Sequence, residues 1–174
     1  MKRPIRIEGD IAYVPLTKGY EAIIDVEDVP LVEGWNWSAR EERRRDGTVR
    51  IIYAGRNGFN PTKKKWFTIR MHQAILPPAD NREPDHADCN GLNNRRHNLR
   101  LATKNENQHN RRRNANNTTG AKGVSLVRES GKYRADIQVN GVAFYLGRFD
   151  SLEEASRAYV AESRRLHGAF GRAE

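Results

Sequence analysis

The stretch Pro84–Asn107 constrains this chain most, because it concentrates side chains that can bind a metal ion and move protons. An adjacent Asp85-His86 pair opens the stretch, a loop rich in asparagine follows, and Asn107 closes it. Few segments bring a carboxylate, an imidazole and several amides so close together along a chain. The stretch therefore predicts a site with its own chemistry.

The second half of this stretch predicts a short strand followed by a helix. Thr103 and Glu106 have the spacing of a capping box, in which each residue satisfies a backbone amide of the other. The helix is expected over about 104–113, after a strand over 99–102. Asn107 then lies one turn inside the helix.

Three residues offer the chemistry of metal-assisted hydrolysis. The Asp85 carboxylate and the Asn107 amide supply oxygen ligands, which suit an ion such as Mg²⁺ that keeps several waters. Such an ion shields negative charge on a phosphate, while the neutral His86 imidazole takes a proton from the attacking water. Strand side chains alternate between faces, so we expect the strand to end at the Asp85-His86 pair, allowing metal and base to flank the phosphate.

These residues resemble the HNH motif of phage homing endonucleases over about 71–110. The resemblance implies a ββα-metal fold around one Mg²⁺ or Mn²⁺ ion, with Asp85 and Asn107 as ligands and His86 as general base. It also implies that Asn98 holds the loop and orients His86 through its backbone. The positions that carry the resemblance are Asp85-His86, the loop 88–95, Asn98-Leu99-Arg100 and Asn107.

Charge clusters beside this motif. The net charge is +9 and the pI is near 10.0, which favours a polyanionic partner. Residues 1–60 hold ten Lys/Arg and ten Asp/Glu, whereas residues 89–121 hold seven Lys/Arg against Glu106 alone. This clustering predicts phosphate contacts with double-stranded DNA rather than a merely solvated face. The predicted contacts here are Arg95, Arg100, Arg111, Arg112 and Arg113.

Composition argues against a membrane protein, a secreted protein and a chain with one large core. With 174 residues, 37% hydrophobic and 30% charged, several small modules fit better than one large core. The sequence has no long apolar run, so no membrane span is expected. The N-terminus is too polar for a signal peptide. Cys89 is the only cysteine, so neither an internal disulfide nor a zinc-binding cysteine pair is expected. We expect a cytoplasmic protein, in the host cell if the chain is phage-encoded, without zinc.

We expect an α+β chain in four segments. A β-rich N-terminal module (1–60) precedes the HNH ββα-metal nuclease module (61–113), a basic, asparagine-rich linker (114–121) and a C-terminal module (122–174). In the first module, 11–14 and 22–26 are strand-like, and Asp46-Gly47 fits a hairpin turn. Trp35 and Trp37 are assigned to its core, with base stacking as the alternative.

Several features near the motif stay open. Lys63-Lys64-Lys65 form either a solvated loop tip or a contact with the phosphate backbone, before a strand pattern over 66–76. His72 resembles the histidine of a Met-His-Arg sequence in HNH proteins, although Gln73 replaces the arginine. It is a candidate active-site residue or a buried structural histidine. His97 and His109 are interpreted as surface residues, and the linker is either a spacer or a minor-groove contact.

The C-terminal module predicts a three-stranded antiparallel sheet packed on one helix. Residues 133–139 alternate cleanly, and Asn140-Gly141 closes a hairpin. Ser151 and Glu154 form a capping box for a helix that Gly168 would end. The inward set is Tyr133, Ala135, Ile137, Val139, Val142, Phe144 and Leu146, and the outward set is Arg134, Asp136, Gln138, Ala143 and Tyr145.

This module resembles the plant ethylene-response-factor (Apetala-type) DNA-binding domain. The landmarks are Lys122-Gly123-Val124, 132–137, 146–149 and 153–159. The resemblance implies a sheet lying in the major groove, although Ser125 and Tyr145 stand where that family usually has arginine and tryptophan. A merely solvated outer face is the alternative. The implied contacts are Lys122, Ser125, Arg128, Arg134, Asp136, Gln138 and Tyr145.

Together, these features predict a site-specific, homing-type DNA endonuclease that nicks as a monomer, leaving a 5′-phosphate and a 3′-hydroxyl. A non-catalytic DNA-binding regulator that retains an HNH scaffold is the main alternative. An RNA-binding protein is a further alternative, which the absence of an aromatic-rich stacking strand disfavours.

Overall fold

The computed structural model describes residues 2–110, 117–139 and 141–171, which belong to two compact units. The first unit is Met1–Thr103 and the second is Lys104–Glu174, each with its own hydrophobic core. The named sheets are antiparallel and the helices are few, so the α+β class is confirmed. Among the described residues, no helix combines the length and apolar character that crossing a membrane requires.

The N-terminal sheet of the first unit contains β1 (Arg6–Glu8), β2 (Ile11–Pro15) and β3 (Glu21–Asp25), in that order. Alternation along β2 and β3 buries one face, where Ala12 pairs with Ile24 and Val14 with Ala22. Both strands predicted for this region are therefore confirmed.

A second sheet places the long strand β5 (Val49–Asn60) between β4 (Ser38–Arg43) and β6 (Lys65–Arg70). The turn from β4 to β5 contains Asp46-Gly47 as predicted, and Gly47 has a φ of 83°. Two short helices, α1 (Val29–Val32) and α2 (Met71–Ile75), pack into the same core.

Two predictions for this region were wrong. The strand expected over 66–76 ends at Arg70, and Met71 and Ile75, four residues apart, are both buried on one face of α2. Trp35 is 53% exposed, and the Arg56 guanidinium lies 3.9 Å from its ring centroid. Trp37 is buried as predicted, with its indole N–H donating to the Val32 carbonyl at 3.0 Å.

The predicted motif forms a two-stranded sheet of β7 (Glu83–His86) and β8 (Leu99–Ala102). β7 ends at His86 and β8 has the predicted bounds. Residues 1–60 and 61–103 share one core rather than packing separately. β3 also binds the loop after β7, because the Ile23 amide donates to the Leu92 carbonyl at 2.9 Å.

The second unit begins with α3 (Lys104–His109), and residues 111–113, where the prediction continued this helix, lie outside the described residues. Its sheet has the order β11 (Val142–Phe149), β10 (Lys132–Val139), β9 (Val124–Val127), beside the helix α4 (Leu152–His167). Ser151 caps α4 by accepting a hydrogen bond from the Glu154 amide at 3.2 Å. The predicted three-stranded sheet on one helix is therefore confirmed.

Two details of the second unit differ from the predictions. Val142 and Phe144 pair with Val139 and Ile137, yet both are exposed, because the core forms at the other end of β11, around Leu146 and Phe149. Residues 117–121 of the predicted linker are tied to β9, since the Asn117 side chain donates to the Ala121 and Val124 carbonyls.

Candidate active site

Asp85 lies on β7, directly opposite Arg100 on β8. Its side chain is buried, and Arg100 donates from Nε and Nη2 to Oδ2, at 3.3 Å each. This cross-strand ion pair fixes the position of the Asp85 carboxylate near the end of the strand. Arg100, predicted to contact DNA, is therefore also a partner of the predicted metal ligand.

His86, the last residue of β7, is buried and is fixed by Asn94. Its Nε2 lies 3.1 Å from Asn94 Oδ1. The Asn94 amide nitrogen donates to the Leu92 carbonyl at 3.2 Å, and a carbonyl can only accept, so the oxygen is the atom that faces His86. Nε2 therefore carries the hydrogen in the neutral ring, and Nδ1 carries the lone pair that could accept a proton.

The rings of His72 and Tyr53 lie beside the His86 ring. The His72 ring lies edge-on to it at 4.7 Å between centroids, and Tyr53 lies 5.5 Å from His72 and 5.8 Å from His86. His72 is buried, and its Nδ1 has no hydrogen-bond partner among the described residues. His72 is thus adjacent to the predicted base, and its predicted active-site role stays a prediction.

Burial keeps both imidazoles neutral. It lowers the pKa of His86 below the ordinary 6.5, outweighing the hydrogen bond to Asn94 and the carboxylates of Asp88 and Asp85, which raise it. Burial also lowers the pKa of His72 to about 3, with smaller contributions from His86 and Arg70. At neutral pH, His86 is therefore in the form that a general base needs.

Asn98 closes the loop between β7 and β8. Its side-chain oxygen accepts from the Asp88 amide at 3.0 Å, and its side-chain nitrogen donates to the Asn93 carbonyl at 2.7 Å. Its carbonyl accepts from the Ala87 amide at 2.9 Å. These bonds join both ends of the loop just after His86, although the catalytic role predicted for Asn98 stays a prediction.

The loop also packs closely against β5 at Gly91. A Cβ at this position would lie 2.4 Å from the Ile52 carbonyl oxygen and 2.6 Å from the Tyr53 ring. Only glycine permits that approach without movement of the backbone. The loop that carries Asn94 is therefore fitted to the strand that carries Tyr53.

Arg95 and Arg96 fasten the end of the loop to the N-terminal residues. Arg95 Nε donates to Asp25 at 2.7 Å, and Arg96 binds the buried Asp28 with distances of 2.5–3.1 Å. Burial raises the pKa of Asp25, but the Arg96 amide and Arg95 together hold it below its ordinary value. The DNA contact predicted for Arg95 stays a prediction, and the structure gives this residue a structural ion pair.

Asn107 lies on α3 in the second unit, and its role as a metal ligand stays a prediction. Arg111, Arg112 and Arg113 lie outside the described residues.

On the sheet of the second unit, the predicted DNA contacts are partly engaged within the unit. Arg134 forms two 2.7 Å hydrogen bonds to Asp136 and lies 5.3 Å from the Tyr145 ring centroid. Gln138 donates to the Gly141 carbonyl at 3.1 Å, and Lys122 donates to the His109 carbonyl at 2.8 Å. Ser125 and Arg128 are exposed.

Comparisons with known proteins identify relatives of the chain. Protein 3.8 of Escherichia phage T7 is 38% identical over 88 residues, which are 51% of this chain and 72% of that protein. The chain belongs to the family of phage T7 protein 3.8. A protein of Acanthamoeba polyphaga mimivirus, named as an uncharacterised HNH endonuclease, is 28% identical over 160 residues, 88% of this chain and 74% of that protein. This distant match supports a relationship to HNH nucleases.

Two other comparisons gave nothing. No protein-family model matches this member of the protein 3.8 family. No solved structure matches it either.

The sequence analysis missed two residues of the candidate active site, Asn94 and Tyr53. Asn94 was one asparagine among several in the loop, and Tyr53 lies on a strand far away along the chain. The nearest sequence signal was Gly91, whose lack of a side chain permits the close approach to Tyr53. The contact itself depends on how the loop packs against β5, which spacing alone does not encode.

Proposed function

We propose that this chain is a site-specific, homing-type DNA endonuclease of the HNH class, which nicks one strand by metal-dependent hydrolysis. The observation that carries the proposal is a buried, neutral His86, held in one tautomer by Asn94 and directly following the buried Asp85 on β7. The distant relative named as an HNH endonuclease supports the same class.

His86 is the residue proposed to move a proton. Because Asn94 fixes the hydrogen on Nε2, His86 Nδ1 would accept the proton of the water that attacks the scissile phosphate. Asn98 would keep this ring in place through the loop, and the rings of His72 and Tyr53 would restrict water on the inner side. The expected products are a 5′-phosphate and a 3′-hydroxyl.

The proposed cofactor is Mg²⁺ or Mn²⁺, without zinc. Asp85 would offer such an ion a hard carboxylate oxygen, and the sequence motif adds the amide of Asn107 as a second ligand. When bound, the ion would shield negative charge on the phosphate and on the leaving oxygen. Arg100, once released from Asp85, would be available to a phosphate oxygen.

We further propose that the outer face of the β9–β11 sheet contacts double-stranded DNA, as the ethylene-response-factor resemblance implies. The sheet is antiparallel, and Arg134, Tyr145, Ser125, Arg128 and Gln138 are exposed. Arg111–Arg113, which lie outside the described residues, would add contacts to the DNA backbone.

A DNA-binding regulator that retains the HNH scaffold is the second candidate. The Arg100–Asp85 ion pair favours it, because a guanidinium already neutralises the carboxylate that a metal ion would need. The two candidates differ in one observable property, which is cleavage at a site that the protein binds.

A nicking assay separates them. Supercoiled plasmids carrying a selected binding site are incubated with Mg²⁺ or with EDTA, using wild type, Asp85→Asn and the control Asp80→Asn, an exposed carboxylate upstream. Wild type and Asp80→Asn should relax the plasmid with Mg²⁺ only, and Asp85→Asn should not. A wild type that binds the site and leaves the plasmid intact would establish the regulator instead.

A further inference from the structure

The outer part of the β5–β6 hairpin is a two-stranded ribbon that leaves the rest of its sheet. β4 pairs with β5 only as far as Gly55, whereas β5 continues to pair with β6 through Asn60. The five outer pairs run from Arg56↔Ile69 to Asn60↔Lys65. At about 3.4 Å per residue, this ribbon is about 17 Å long.

Three aromatic side chains of the ribbon are exposed to solvent. Trp66 is 66% exposed, Phe67 is 49% exposed and Phe59 is 48% exposed. Phe59 and Trp66 are directly opposite each other, with ring centroids 5.1 Å apart, so they form one aromatic pair on one face. Phe67 lies on the other face, where its ring covers Gly58. Clustered exposed aromatic side chains of this kind mark a binding surface.

The charged residues along this hairpin have one sign. Residues 47–79 contain no Asp or Glu, and three of their six Lys/Arg are Lys63, Lys64 and Lys65 at the tip of the ribbon. The turn is ordered, since the Lys63 amide donates to Asn60 Oδ1 at 2.9 Å. All three lysines are exposed, and none has an ion pair within the described residues. The tip therefore complements a polyanion.

We propose that this ribbon enters the major groove of duplex DNA. The major groove is about 12 Å wide and admits a two-stranded β-ribbon, whose strands lie about 4.8 Å apart. Lys63, Lys64 and Lys65 would bind phosphates at the groove edges, and the Phe59–Trp66 pair would contact apolar base edges such as thymine methyl groups. The choice of duplex DNA rests on the proposed function, whereas the surface itself belongs to no part of the candidate active site.

The test measures binding without cleavage. Full-length protein is titrated into a fluorescein-labelled duplex in EDTA, over a series of salt concentrations. Lys63→Gln/Lys64→Gln is compared with Arg44→Gln/Arg45→Gln, which removes two exposed charges at the β4–β5 turn of the same unit. The lysine variant should bind more weakly, and its slope of log affinity against log salt should fall by about 2. The arginine variant should keep the wild-type slope.

A second variant tests the aromatic contact. Trp66→Ala should weaken duplex binding about tenfold with an unchanged salt slope, while Trp66→Phe should keep most of the affinity. Thermal unfolding of each variant establishes that the fold is intact. The proposal would be overturned if the lysine and arginine variants lost duplex affinity equally. It would also be overturned if the ribbon variants bound single-stranded DNA more weakly but bound duplex DNA as wild type does.

The binding data, together with the nicking assay, separate this inference from the proposed nuclease activity. If the ribbon variants lose duplex binding in EDTA and wild type never nicks DNA, the ribbon stands and the nuclease fails. If wild type nicks DNA and the ribbon variants bind like wild type, the nuclease stands and the ribbon fails.

Discussion

At the scale of single residues, the proposed chemistry depends on the protonation of His86. Asn94 determines which ring nitrogen carries the hydrogen, and burial keeps the ring neutral at neutral pH. A general base contributes about 10²- to 10⁴-fold to a rate, and a ring free to choose its tautomer would keep only part of that. In the proposed mechanism, Asn94 is therefore a positioning residue rather than a catalytic one.

Asn94→Ala should lower the nicking rate about 10- to 100-fold without weakening DNA binding. The hydrogen bond to Asn94 raises the pKa of His86, so its loss should lower that pKa further and move the acidic limb of the pH–rate profile to lower pH. Asn90→Ala is the control, because within the described part of the chain that side chain makes one hydrogen bond, from the Leu92 amide in the same loop. An acidic limb that stays in place in Asn94→Ala would show that Asn94 does not act through His86.

At the scale of elements, sequence patterns succeeded where local rules decide the structure. The capping box at Ser151 predicted the start of α4, and the alternation along residues 133–139 predicted β10. β8 has the bounds that were predicted for it. The patterns failed where tertiary packing decides, as at Trp35 and along α2, whose apolar residues also fitted a strand. They also missed Asn94, because its bond to His86 depends on a loop fitted against β5 and joined to β3.

A prediction for the β9–β11 sheet concerns where the proposed nuclease cuts. Arg128→Ala/Gln138→Ala removes two exposed side chains from the proposed DNA-contacting face and leaves its core untouched. Cleavage should become weaker and less localised, while the maximal rate at saturating protein should persist, since the proposed active site lies in the other unit. Glu129→Ala/Glu153→Ala is the control in the same unit. Unchanged site choice in a selected-site cleavage experiment would show that this sheet does not determine the target.

At the scale of the whole molecule, the N-terminal residues gain a role that composition did not suggest. They share a core with the motif, and Asp25 and Asp28 hold the arginines that follow Asn94. The positions of Asp85 and His86 were predictable because the motif is local in sequence. The support for them was not, because it comes from residues about 50 to 80 positions upstream, and close packing of that kind leaves no regular spacing.

The most direct test of the account is the nicking rate of His86→Ala, measured in a single turnover at saturating protein with Mg²⁺. His97→Ala is the matched control, because His97 lies exposed in the same segment between β7 and β8. His86→Ala should bind the target as wild type does and nick it at least about 100-fold more slowly, while His97→Ala should nick at the wild-type rate. Equal rates for His86→Ala and wild type would contradict the assignment of His86 as the base.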